Sequence, residues 1–122
     1  MSESNSQTPE FERKRLTQKD LDKILVRHQK FLDNVKDGQR AMLKMMDLSY
    51  LDLSNSNLRT ADLTGVKLKG AKMLGANFES ATLYAADLTE AKMQRAILDR
   101  SDMRGSCMRK TDLSSASMID TD

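Results

Sequence analysis

The sequence predicts an all-β solenoid preceded by one amphipathic α-helix, and three observations predict it. Leu63, Leu68, Met73, Phe78, Leu83, Leu88, Met93 and Leu98 stand five residues apart without a slip, and the same spacing runs from Ala41 to Asp120. The residue two before each of these centres is Ala in nine of sixteen units and Ser, Thr or Val in five more. Apolar spacing of three and four residues, the mark of a buried helical stripe, is confined to the stretch ahead of the first unit.

Composition bounds the rest. A chain of 122 residues is one domain's worth, and with aromatics at 4% and no Trp its core is aliphatic. No apolar run approaches the ~18 residues of a membrane span. The opening "MSESNSQTPEFERKR" has no apolar segment, so it does not read as a secretory signal. Cys107 is the only cysteine, which excludes an internal disulfide framework and fits a reducing compartment. The expected location is cytoplasmic.

Residues 1–15 are polar, contain the only Pro, and are expected to form a disordered tail. Residues 16–38 read as one helix that caps the solenoid. Thr17 is the candidate N-cap with Asp20 three residues on, and Leu16 and Leu21 take the two positions of a hydrophobic staple. Leu21, Ile24, Leu25, His28, Phe31, Leu32 and Val35 then form one stripe. Gly38 is the expected left-handed residue past the helix end. The bulky Met42, Met45, Met46 and Leu51 of the first units are available to pack against the stripe.

From Ala41 to Asp120 all sixteen centres are Leu, Met or Phe, often preceded by Asp or Asn and followed by two polar or Gly residues. On a straight strand every fifth side chain changes face. On a helix five residues overshoot a turn by about 140°, so the leucines would wind around the surface. Both problems vanish if the chain turns a corner after each five-residue side, presenting one large and one small residue inward. Coils would then stack at the ~4.8 Å strand spacing.

"ADLTG" (61–65), "ANFES" (76–80), "ADLTE" (86–90) and "TDLSS" (111–115) resemble the pentapeptide-repeat family, whose units run small residue, Asp or Asn, Leu or Phe, then two polar or Gly residues. The resemblance covers about two-thirds of the chain, residues 41–120. It implies a right-handed quadrilateral β-helix, with four sides to a coil and hence about four coils.

An interior filled by side chains leaves no room for a substrate or cofactor, so flat faces and two ends are what such a rod offers. No catalytic residue, cofactor or metal is expected. His28 sits in the helical stripe and reads as a packing or capping residue. Cys107 falls at an outward position and reads as a solvent-facing thiol. Asp47, Asp52, Asp62, Asp87, Asp102 and Asp112 recur with the repeat and read as turn and ladder groups rather than as ligands.

Quinolone-resistance members of the family resemble duplex DNA in shape and charge and bind type II topoisomerases. That mechanism needs a negative rod, whereas residues 41–122 hold eleven Lys or Arg and eleven Asp or Glu. DNA mimicry or topoisomerase interaction is therefore the alternative reading. The leading one is a non-enzymatic protein–protein interaction or scaffold module with an unidentified protein partner and no nucleic-acid ligand. Two surfaces are candidates. Lys92, Arg95, Arg100, Arg104, Arg109 and Lys110 against Asp99 and Asp102 make a local balance of +4, a candidate basic contact surface. Met103, Met108, Leu113 and Met118, the last four centres, are a candidate end for an end-to-end homodimer.

Overall fold

The structure, a computed structural model, describes residues 13–122. The expected tail lies mostly outside the described residues, and its last part is a correction. Lys14–Arg15 (β1) pair in parallel with Met46–Asp47 (β2). The helix α1 spans Gln18–Leu32.

Beyond Ala41 the repeat winds as its period requires. The carbonyl of each centre from Leu43 to Leu113 accepts a hydrogen bond from the N–H three residues on. The residue two after each centre has φ between 55° and 73°. A turn closed in this way, with a left-handed third residue, is type II. Gly fills that position at 65, 70, 75 and 105, and the other twelve carry side chains. At Gly70 the reason is also steric, because a Cβ there would overlap the Tyr50 ring one coil earlier.

Four sides make a coil, so partners lie twenty residues apart. Met42 pairs with Asp62, Asp62 with Thr82 and Thr82 with Asp102, and the other three sides repeat this register from Asp47, Asp52 and Asn57. Inside the stack the centres from Leu43 to Leu98 are fully buried, and the small residues from Ala61 to Ser101 fill the space between them. Large and small side chains alternate along each inner wall, which lets successive sides pack without voids.

The ladder also explains the recurrent Asp or Asn. In each five-residue side of the two inner coils, residues 61–100, four N–H groups find backbone acceptors: two pair with other coils from the positions at and before the centre, one pairs from the left-handed residue, and one closes the turn. The N–H just after the centre is left over. Asp47 Oδ1 accepts it from Ser49 at 3.0 Å, and Asp52, Asn57, Asp62, Asn77, Asp87, Asp102 and Asp112 do the same in their own units. In these eight units one side-chain acceptor thus completes the backbone accounting.

The helix begins as the sequence predicts, with a capping box between Thr17 and Asp20. It ends earlier than residue 38. Asp33 is the C-cap, and Asn34 takes the left-handed position at φ 59°. Val35 N–H donates to Lys30 O and Asn34 N–H to Phe31 O, the two bonds of a Schellman motif. Gly38 therefore does not end the helix. It is needed because a Cβ there would collide with the Lys30–Phe31 backbone.

Candidate functional site

A coil edge exposes backbone groups that the next coil would otherwise take. At the N-terminal edge several have partners from outside the repeat. Leu16 N–H donates to Asp47 O at 3.2 Å, extending the β1–β2 pair. The Gln18 amide imitates a strand on the next side, donating to Asp52 O and accepting from Asp52 N–H, both at 2.8 Å. His28 Nδ1 accepts from Ala41 N–H at 3.0 Å, which makes Nε2 the protonated nitrogen that donates to Arg59 O at 2.8 Å. Corner carbonyls are also met: Arg13 donates to Gly65 O and Arg40 to Thr60 O. The helix therefore crosses the first coil from the Asp52 side to the Arg59 and Ala41 sides.

His28 is fully buried, with the Phe31 ring stacked at 5.8 Å. Burial holds its pKa below the ordinary value of 6.5. Arg40 acts in the same direction and the bond to Arg59 opposes them. Of the apolar stripe, Leu21 is fully buried, and Ile24 and Leu25 pack partly buried against the core. Leu32 is half-buried, while Phe31 and Val35 are exposed, Val35 because it follows the helix rather than belonging to it.

The C-terminal coil is different. Met103 is buried and Leu113 half-buried, but Met108 and Met118 are 40% and 42% exposed. Among the described residues, only the side of Met103 carries a further rung, with Met103 N–H donating to Asp122 O and Asp122 N–H to Ser101 O.

The structure does not gather the six basic residues of 92–110 on one face. One coil contains all of them, so they are dealt to different sides: Lys92 and Arg95 to one, Arg100 to the next, Arg104 to the third, Arg109 and Lys110 to the fourth. Two are engaged. Arg100 pairs with Glu79, and Arg104 forks onto both Asp102 oxygens and lies 5.8 Å from the Tyr84 ring centre. The Arg104 hydrogen bonds hold the Asp102 carboxyl down to about 2. Cys107 occupies a ladder position where other units carry Asp. A hydrogen bond with Thr89, then the Arg109 N–H, lowers its pKa from the ordinary 9.0.

A family model of pentapeptide repeats, in eight copies, matches residues 47–79 and 83–118, more than half of the chain. The chain belongs to the pentapeptide-repeat family. Pentapeptide-repeat proteins form right-handed quadrilateral β-helices, which adds the hand to the four-sided winding described above. Similar solved structures include the pentapeptide repeat protein Rfr23 of the cyanobacterium Cyanothece, 28% identical with a TM-score of 0.46 over 64% of each chain. A pentapeptide repeat protein from the Arabidopsis thaliana thylakoid lumen is 29% identical with a TM-score of 0.46, over 64% of this chain and 60% of its own. QnrB1, a plasmid-mediated fluoroquinolone resistance protein, is 21% identical with a TM-score of 0.29, over 69% of this chain and 51% of its own. The chain thus spans less than two-thirds of the length of each. No curated protein sequence matches it. Among the described residues, no helix of this pentapeptide-repeat protein is long and apolar enough to cross a membrane.

The edge contacts made by Gln18, Arg13 and Arg40 leave no mark in the sequence pattern. Each is a single side chain reaching a backbone group twenty or more residues away, so periodicity carries no trace of it.

Proposed function

We propose that this pentapeptide-repeat protein is a non-enzymatic interaction module of about four coils. Residues 14–34 close its N-terminal edge, its C-terminal coil pairs with that of a second copy, and its flat faces meet a protein partner. The observation that carries this reading is the inequality of the two ends: partnered backbone groups at one, exposed Met108 and Met118 at the other. A two-fold contact between C-terminal coils would bury the exposed methionines and close the assembly. Flexible thioethers suit such a junction because they adapt to an imperfect fit.

The DNA-mimicking alternative is less well supported, because the ladders mix signs. Asp47, Lys67 and Asp87 follow one another on one side, and Asp52, Lys72, Lys92 and Asp112 on the next. A rod built to occupy a phosphate-binding surface needs a run of one sign.

Light scattering tests the pairing. The wild type is expected to be dimeric at high micromolar concentration, and the double variant Met108→Lys, Met118→Lys monomeric with an unchanged circular dichroism spectrum. A monomeric wild type at that concentration overturns the proposal.

A further inference from the structure

Beyond the solenoid faces, the N-terminal end carries an excess of positive charge, and part of it lies on the outer side of α1, where neither the fold nor the proposed pairing uses it. Residues 13–40 contain nine Lys or Arg and four Asp, a formal +5, whereas residues 41–122 sum to zero. Arg13, Arg15 and Arg40 are engaged with the first coils, and α1 itself holds Lys19, Lys23, Arg27 and Lys30 against Asp20 and Asp22. Glu3, Glu10 and Glu12, outside the described residues, offset part of this formally.

The helix's own acids are occupied. Asp20 closes the capping box, Asp22 accepts from Gln18, and Asp33 accepts from Gln29. Its bases are not: Lys19, Lys23, Arg27 and Lys30 are all exposed, and none has an ion pair among the described residues.

Geometry aligns them. Leu21 and His28 mark the inward face, and at 100° per residue Lys19, Lys23 and Lys30 fall on the opposite crest, with Arg27 beside them. Because the helix crosses the first coil, that crest points away from the solenoid along its axis. Val26 shares the crest at 58% exposure, and Phe31, Val35 and Met42 are exposed nearby.

We propose that this end of the protein docks onto an anionic lipid surface. Lysines on a convex ridge are point charges without a fixed fork, so they ask a partner for sign and proximity rather than for matched geometry. The apolar face of α1 is spent on the solenoid, so the contact rests on the ridge's charges with Val26 among them, as a polybasic segment meets an anionic leaflet. The ridge itself is convex, and the hollows beside it, all bordered by Arg27, are open to solvent.

Co-sedimentation of the full chain with phosphatidylcholine vesicles, with and without phosphatidylserine, decides. Binding is expected only with phosphatidylserine, and it should fall as salt rises. The triple variant Lys19→Gln, Lys23→Gln, Lys30→Gln should weaken binding about a hundredfold while its melting temperature stays that of the wild type. Arg109→Gln together with Lys110→Gln, at the other end, should bind like the wild type. The proposal is overturned if phosphatidylserine vesicles fail to bind at low salt, or if the crest variant binds unchanged. Capture by polyglutamate beads with no vesicle binding would also overturn it and would point to an acidic protein instead.

Discussion

The two ends of the solenoid are built from the same coil and finished in opposite ways. At the N-terminal end, a two-residue strand, a glutamine amide and a histidine ring each meet backbone groups of the first coil. The centres Leu43, Leu48, Leu53 and Leu58 beneath them are fully buried. At the C-terminal end one side is continued by Asp122, while Met108 and Met118 stay exposed. The difference teaches that a repeat specifies its interior and says nothing of its edges. An edge needs groups that are not part of the repeat, placed one by one.

Removing the non-repeating end is the harshest way to break this contrast. Deleting residues 1–38 should give aggregating or insoluble protein, because both edges would then expose apolar centres and strand groups. A soluble, monomeric solenoid by size-exclusion chromatography would refute the capping role of α1.

Single truncations at the two ends sharpen the contrast. Leu21→Ala, at a fully buried position, should cost about 2–5 kcal/mol in urea unfolding, whereas Met118→Ala should cost less than about 1 kcal/mol in the monomer. Equal losses at the two sites would contradict the description of the ends as unequal.

A further test is chemical. His28→Leu would leave the Ala41 N–H and Arg59 C=O unpartnered, at about 1–3 kcal/mol for each group that water cannot reach. His28→Gln should cost little, since Gln18 already fills the same donor–acceptor role at Asp52. In the native state the ring is neutral, and its pKa lies below the ordinary 6.5. The unfolded chain therefore takes up the proton first as pH falls. The histidine's contribution is fully present above 6.5 and is lost as pH drops through the depressed native value. Melting temperature should decline over that window in the wild type and hold level in His28→Gln. Matching pH profiles would count against the assigned hydrogen bonds.

Much of the fold was legible because the repeat states it sixteen times. Leu63 alone means nothing, but Leu63 with Ala61, Asp62 and the same trio at 86–88 fixes an inward large residue, an inward small one and an outward acceptor. Less was legible where one residue acts once. Val35 fits the helical spacing and yet lies past a helix closed by Asn34, since Asn is among the few residues besides Gly that enter the left-handed conformation. Lys14 and Arg15 look like part of a polar tail, because a strand that pairs through its backbone needs no apolar signature. The basic cluster at 92–110 misled for another reason. Neighbours in sequence share a coil, and a coil spreads them around the rod.

The register of twenty makes chain length itself informative. Removing residues 61–80 would return every later residue to its own side, leaving both the core and the surface ladders in phase. Excising a single unit, such as 61–65, would also keep a centre at every inward position. Each later ladder would nonetheless turn by one side, so Lys67 would stack where Asp62 had been. The core thus reads the chain modulo five and the surface reads it modulo twenty. An insertion can be silent to folding and still rewrite every face that a partner would meet.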